Sequence, residues 1–415
     1  MLKKLHGRKL AVCLIGGAMY ALFSAFGWQA EHGGVIWAGG ALLVAALLVW
    51  PIAALLAVLL ERGYTRALRQ EKTFRAGRAF AFMLACYVPM FCVAFPGSFA
   101  YDVPYQLRQV VTGAYSTHHP LLHTLALGGL LQLGRALGDI NLGAALYTAL
   151  QMALLAGCFA LTCGSIARQS GARAAKRAAV FFALYPLNMV MAVNATKDVL
   201  FGGFFALTLA LLNEIQEKPS RGLALKIAAC GALAVMLRNN MAYAALVWLA
   251  ILTIGLRKAE KSAALAMLLA LAVGLCGNAA LKHATRAESG DMSEMLSWPI
   301  QQLARARLYD EERLTDAEKE AIDELMPGEA WACYDPTISD PVKFEFDTQA
   351  FRADVKKYVG VWLSVGKKCA GTYLDATMAL TYPFFVLAGF SWPHTEMPDF
   401  LVRIANYLPV THYLG

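Results

Sequence analysis

Four short polar groups interrupt an otherwise apolar chain, and each holds residue types that can do chemistry. The first is Tyr101-Asp102, placed just after an apolar run that ends at Pro96-Gly97. A carboxylate there can serve as a general base or orient a substrate; its plainer reading is a solvated loop charge. Tyr101 and Tyr105 offer stacking surface beside it. The second group is Ser116-Thr117-His118-His119-Pro120. Adjacent histidines do not share a helix face and no carboxylate follows at i+4, so zinc is poorly supported. A histidine here can donate to a phosphate or a sugar hydroxyl, and His123, about one turn on, can join it. Otherwise His119-Pro120 simply opens a helix, with Pro in its first turn. The third group is Asn194-Ala195-Thr196-Lys197-Asp198 and the fourth is Arg238-Asn239-Asn240. Lys197 suits a lipid-linked phosphate, with Asn194 and Thr196 as hydrogen-bond donors; more plainly, Lys197 and Asp198 pair with each other at the interface. Arg238 suits bidentate phosphate binding, or anchors a hairpin turn.

The elements that must position these groups follow from composition. The chain has 415 residues, 58% hydrophobic and only 16% charged. Soluble domains carry about 25% charge. Repeated apolar runs of roughly 16–27 residues predict an all-α polytopic membrane protein. Nine cysteines are scattered without a CxxC pair and read as small buried hydrophobes. A Cys333–Cys369 disulfide stays open.

Charge divides the chain. Residues 1–281 carry 24 Lys/Arg against 9 Asp/Glu, and residues 282–415 carry 13 against 20. The first part is expected to be a transmembrane domain, the second an extracytoplasmic, mostly helical region. The excess positive charge gathers in short loops, as the positive-inside bias requires, and is no nucleic-acid signal.

In order, an uncleaved first helix is expected to about Trp28 and a second span over 35–60. A basic loop from Arg62 through Arg69 and Lys72 to Arg78 follows on the cytoplasmic side. The third span, about 79–95, runs outward, so Asp102 is extracytoplasmic. The apolar stretch 120–137 either crosses or lies in the interface. The second option keeps Arg168, Arg173, Lys176 and Arg177 cytoplasmic, so residues 96–141 read as an outer loop with interfacial helices. Spans at about 142–166, 178–194, 198–214, 223–237, 241–256 and 263–281 complete nine crossings, with Arg257, Lys258 and Lys261 inside. In the tail, Thr315 with Glu318 three residues later reads as a capping box on a solvent-exposed helix. A second amphipathic helix is expected over 348–365. Residues 370–390, with Asp375, Pro383 and several aromatics, read as a membrane-associated segment. Such a chain looks shorter than its relatives.

The order and sidedness of these groups predict one glycosyl-transfer site on the outer face of a membrane. Asp102 would take the acceptor's proton as the donor bond breaks. Tyr101, His118, His119, Lys197, Asp198, Arg238 and Asn239 would bind substrate or the lipid phosphate. Gln302 and Arg305 join them from an outer helix, Pro299-Ile300-Gln301-Gln302-Leu303-Ala304-Arg305, although a polar surface helix explains them almost as well. No metal ligand set is assigned; a divalent cation stays open as a cofactor. No P-loop, dinucleotide fingerprint or nucleophile elbow is present.

With its Tyr101-Asp102 loop, His119-Pro120 and Thr196-Lys197-Asp198, the chain resembles membrane glycosyltransferases of the GT-C superfamily. These include polyprenyl-phosphate-sugar-dependent mannosyltransferases and aminoarabinose transferases. The resemblance covers about residues 79–310 and is greatest to a bacterial branch. It implies inverting transfer from a polyprenyl-phosphate-linked sugar to an extracytoplasmic glycan, lipid or protein acceptor. The place would be the bacterial cytoplasmic (inner) membrane among its lipids, with the first-loop acid, here Asp102, in the acceptor site. Many members carry two acids in that loop, whereas here Asp102 stands alone until Asp139. The alternatives are a polyprenyl-linked lipid or glycan transporter or flippase, and a non-catalytic assembly subunit. A transporter predicts internal repeats and broken helices near the midplane; no clear repeat is visible.

Overall fold

The computed structural model describes residues 8–31, 40–66, 74–254 and 258–381. Arg69, Lys72, Arg257 and the part of the 370–390 segment beyond residue 381, with Pro383 and its aromatics, lie outside them. Internal contacts divide the chain into two compact units, residues 62–290 and residues 1–61 with 291–415. The charge boundary near 281 therefore falls inside the last helix of the first unit. The first two helices, α1 (Arg8–Glu31) and α2 (Gly40–Arg66), belong mainly to the second unit.

The 62–290 unit is built on α3 (Ala76–Val93), α4 (Val103–Thr112), α5 (Leu121–Ala136) and α6 (Ile140–Ser170). It continues through α7 (Ala172–Leu184), α8 (Pro186–Val193), α9 (Lys197–Glu217), α10 (Arg221–Leu237), α11 (Met241–Ile254) and α12 (Lys258–Thr285). Four stretches are long and apolar enough to cross a membrane: Ala76–Val93, Ile140–Ser170, Lys197–Glu217 and Lys261–Thr285. The bent pair α7–α8 makes a fifth if it is one span. The chain is an all-α membrane protein. Helices stand at all nine places expected to cross, but four or five reach spanning length and apolarity among the described residues.

The expected straight span over 178–194 is instead two helices bent by 57°. Pro186 is the cause. Its ring holds Tyr185 extended and removes a backbone donor, so α7 ends before it and α8 starts on it. The Phe182 carbonyl left free there accepts from the Tyr87 hydroxyl at 2.8 Å and from Asn188 Nδ2 at 3.3 Å.

The stretch after Pro120 is not among the helices long and apolar enough to cross a membrane. α5 has 16 residues and packs against the N-terminal third of α6. Glycines allow the approach: a Cβ on Gly134 would lie 2.3 Å from the Gly143 nitrogen, and one on Gly143 would lie 2.4 Å from the Leu130 carbonyl oxygen. The basic residues Arg75, Arg78, Arg168, Arg173, Lys176, Arg177, Lys218 and Arg221 all sit at one end of this helix set, beside the start of α3 and the α6–α7 and α9–α10 junctions. There Arg168 Nε pairs with Glu214 at 2.5 Å.

In the other unit, α13 (Ser297–Tyr309) and α14 (Asp316–Leu325) pack with α15 (Asp340–Phe344), α16 (Thr348–Ala353), α17 (Val355–Lys368) and α18 (Ala370–Thr381). Their core is Ile300, Leu303, Ile322, Leu325, Met326, Val342 and neighbours. The capping box forms as read: Thr315 accepts from the Glu318 backbone and Glu318 accepts from the Thr315 backbone. One face of the helix it starts is buried, however, while Asp316, Ala317, Glu320 and Glu324 stay exposed. Ala321, Ile322 and Leu325 are buried, and so is Glu318, which accepts from Lys368 Nζ at 2.6 Å and Ser364 Oγ at 2.7 Å. The helix expected over 348–365 is broken at Asp354, whose side chain caps α17 through the Lys357 nitrogen. Cys333 and Cys369 are both free.

Replacing Gly143 by Val drives a side chain into the α5 backbone. Overpacking of this kind costs about 1–3 kcal/mol. Thermal unfolding of the purified variant in detergent is expected to show that loss, whereas Gly157→Val, whose Cβ meets nothing within 4 Å, should leave the midpoint near wild type.

Candidate functional site

The site forms where two chain reversals meet. After α3 the chain turns at Gly97, whose φ is +133°. A Cβ there would lie 2.2 Å from Thr148 Oγ1 of α6, so only glycine fits. Ser98–Phe99 (β1) then pairs in parallel with Asn194–Ala195 (β2), which follows α8. Among the described residues this two-stranded pairing is the only sheet. It sets Asp102, at the start of α4, beside Lys197, at the start of α9.

Asp102 and Lys197, 95 residues apart in sequence, form an ion pair through Oδ2 and Nζ. Their side chains are about one-sixth exposed, at 15% and 17%. His119 Nδ1 stands 3.9 Å from the same carboxylate oxygen. The expected pairing of Lys197 with its neighbour Asp198 is replaced by this exchange of partners, and Asp198 pairs with Arg238. The guanidinium of Arg238 also lies over the Phe201 ring, 5.6 Å from its centroid. Thr196 caps α9, its hydroxyl accepting from the Asp198 nitrogen. Asn239 Nδ2 donates to the Thr117 carbonyl at 3.3 Å. The 115–117 strand-like segment is itself held by Glu288, whose carbonyl accepts from the Thr117 nitrogen and whose nitrogen donates to the Tyr115 carbonyl.

One cluster therefore contains Asp102, His119, Lys197, Asp198, Arg238 and Asn239, with His118 and Tyr101 exposed at its edge. It lies at the end of the helix set opposite the basic residues: α3, α8, α10 and α12 end toward it, and α9 and α11 begin there. Gln302 and Arg305 lie in the other unit, and their partners are internal to it. Gln302 donates to Thr377 Oγ1 at 2.9 Å and accepts from Trp362 Nε1 at 2.8 Å. Arg305 is buried, donates to the Tyr334 hydroxyl at 3.0 Å and faces Asp375 at 3.8 Å. Among the described residues no group of three or more His, Cys, Asp or Glu could hold a metal ion.

Beneath the cluster runs a buried polar chain. Gln106 Nε2 donates to Thr124 Oγ1 at 3.0 Å and lies 3.0 Å from His123 Nδ1. His123 Nε2 lies 2.7 Å from the Tyr147 hydroxyl, which donates to Gln151 Oε1 at 3.1 Å. Gln151 Nε2 in turn faces the carbonyls of Ala192 at 3.1 Å and Asn194 at 2.8 Å. Donors and acceptors match when His123 is neutral, with its proton on Nε2 and Gln106 donating to Nδ1. This chain ties α4, α5 and α6 to the strand that leads into Lys197. Of its members, sequence reasoning singled out His123 alone. The signal for the others is Tyr147 and Gln151, four residues apart on one face of a long apolar helix, where polar groups are rare without a partner.

His119 is also neutral near pH 7. Burial lowers its affinity for a proton; Lys197 and His118 act with burial, Asp102 acts against it, and the imidazole is held down to about 4. Neutral, it can donate one N–H to an oxygen.

Residues 111–402 match the family described as "Family of unknown function (DUF6020)". That match spans more than half of the chain, so the chain belongs to this family. No curated protein and no solved structure matches it.

Two measurements check this geometry. Tyr147→Phe leaves a donor on His123 and an acceptor on Gln151 unpaired in the interior, and unfolding should show a loss of about 1–3 kcal/mol. The second is pH dependence. His119 titrates at about 4 in the fold against roughly 6.5 unfolded, so the unfolded chain binds more protons between those values. Its contribution to stability is intact above about 6.5 and declines as pH falls toward the folded value. His119→Asn is expected to flatten the stability profile over that window.

Proposed function

From this geometry and the resemblance of the sequence motifs, we propose that the protein is a membrane glycosyltransferase of GT-C type. In this reading it moves a sugar from a polyprenyl-phosphate donor to an extracytoplasmic acceptor at the bacterial cytoplasmic membrane. The observation that carries the reading is the meeting of Asp102 and Lys197, with Arg238 beside them, at one end of an apolar helix set. Ionisable groups in an apolar helix set are costly and commonly mark substrate or ion sites. Basic residues at the opposite end support placing that end in the cytoplasm and the cluster outside.

The chemistry assigns each group a task. The acceptor oxygen or nitrogen attacks the anomeric carbon, and a new glycosidic bond forms with inversion. The bond from that carbon to the phosphate oxygen breaks, and the lipid phosphate leaves with the electron pair. Asp102 takes the acceptor's proton. Lys197 and Arg238 hold the departing phosphate, whose charge grows as the bond breaks. The neutral His119 can donate to a phosphate oxygen or a sugar hydroxyl. Tyr101, exposed beside Asp102, offers a face to the sugar.

The transporter reading draws on one feature, the broken pair α7–α8. The polar cluster, however, stands at the helix ends and not midway along them. Purified protein in liposomes with a lipid-linked sugar and candidate acceptors separates the two readings. Transfer of the sugar supports the enzyme; movement of intact lipid-linked sugar between leaflets without transfer would sink it. Asp102→Asn is expected to lower single-turnover transfer by about 10²–10⁴-fold, the usual contribution of a positioned base.

A further inference from the structure

The cluster pairs both of its cations with carboxylates of its own. Lys197 holds Asp102, and Arg238 holds Asp198. Two cations and two carboxylates cancel, so a phosphate meets a site with no surplus positive charge. It also meets a base whose Oδ2 is already engaged by an ammonium. Taken with the reading of this cluster as a donor-phosphate site, on which the inference rests, these two facts require an exchange.

We propose that Asp102 and Asp198 are built-in occupants of a phosphate site: an incoming phosphate ester takes Lys197 and Arg238 from them, and only then is Asp102 free to act as a base.

Four features make the exchange feasible. The outer pair is the easier to open, because Arg238 and Asp198 side chains are 40% and 45% exposed and the ion pair is screened by solvent. The displaced Asp198 is not stranded. It sits in the first turn of α9, where the helix dipole favours a negative charge. The inner pair is more enclosed, and Asp102 has a substitute partner. His119 Nδ1 stands 3.9 Å from Oδ2, and a hydrogen bond from this neutral imidazole would use one lone pair of the carboxylate and leave the others to accept a proton. Lys197 and Asp198 are consecutive, so opening the outer pair moves the residue next to the inner one.

The exchange also orders the reaction. Before the phosphate arrives, the Asp102 oxygen that faces Lys197 cannot take a proton from an acceptor. Afterwards the ammonium faces the phosphate, and the released carboxylate oxygen can accept the acceptor's proton. Donor binding therefore arms the base, and an acceptor arriving first finds it engaged. No proton or bond changes hands in the exchange itself; only the partners of two cations change.

The test measures binding of a sugar-free lipid phosphate, farnesyl phosphate in detergent micelles, to the full chain. Inorganic phosphate is the second probe, and it distinguishes a lipid headgroup from a free anion as the source of the phosphate. Asp102→Asn removes the competitor for Lys197, and affinity is expected to rise by about 10-fold, the scale of one charged hydrogen bond. Lys197→Met is expected to lower affinity. In the Lys197→Met background, the Asp102→Asn gain is expected to vanish, because nothing remains to be released. Asp198→Asn is the second variant should Asp102→Asn fold poorly, with a smaller gain expected at its more exposed pair. Affinity that stays constant or falls in both Asn variants overturns the exchange, as does the absence of binding by either probe in every variant. Binding that follows the expected pattern without sugar transfer by the wild type would retain the exchange and remove glycosyl transfer. Transfer by the wild type with unchanged affinity in the Asn variants would do the reverse.

Discussion

The parallel pairing of Ser98–Phe99 with Asn194–Ala195 is the constraint on which the rest of the 62–290 unit depends. Two helices, α3 and α8, end there, and backbone polar groups left free at the end of an apolar helix set need partners. The short ladder supplies some, and the Gln151 amide supplies more to the carbonyls of Ala192 and Asn194. Gln151 is in turn fixed by Tyr147, and Tyr147 by His123. The demand to satisfy a few carbonyls thus locks α4, α5, α6 and β2 into one arrangement. The placing of Asp102 against Lys197 follows from it. Gly97 belongs to the same device, because any side chain there would collide with Thr148 and move β1.

Much of this was legible in the sequence for a simple reason. An ionisable residue in an apolar chain has few inexpensive places to be, so Asp102, Lys197 and Arg238 stood out at once. Their order along the chain and the basic loops put them at one end. The choice of partners was not legible. Lys197 lies next to Asp198 in sequence and its ion pair is with Asp102, 95 residues away. Nothing local signals a two-residue parallel ladder. The bend at Pro186 was legible in principle, since proline removes a donor from any helix it enters; the apolar run across it concealed the break. Conversely, the Thr315 capping box was read from four residues because capping is local chemistry. The burial of one face of that helix was not, because Glu318 finds Lys368 and Ser364 only in the folded unit.

Gln302 and Arg305 mark the limit of reading residue types for function. Both have the chemistry of a sugar or phosphate site. In the structure Gln302 joins Trp362 to Thr377, and Arg305 lies over the rings of Tyr309 and Tyr334 while facing Asp375. These contacts hold α13 to α17 and α18. The guanidinium whose chemistry suits a phosphate thus also ties α13 to its neighbours, with its Nε left without a hydrogen-bond partner.

The contrast between the two kinds of ion pair carries the last step. Enclosed pairs add little to stability once desolvation is counted, and an apolar substitute of similar volume is often as stable or more so. Arg305 with Asp375 at least joins two helices that must stay together. The pair Lys197–Asp102 joins segments that β1, β2 and the Gln151 chain already fix, and the pair Arg238–Asp198 joins α10 and α9, which share a buried apolar core. Their contribution to holding the fold is therefore largely redundant. On the function proposed above, charges that a fold does not need for its own stability, kept at one end of an apolar helix set, give way to a charged ligand.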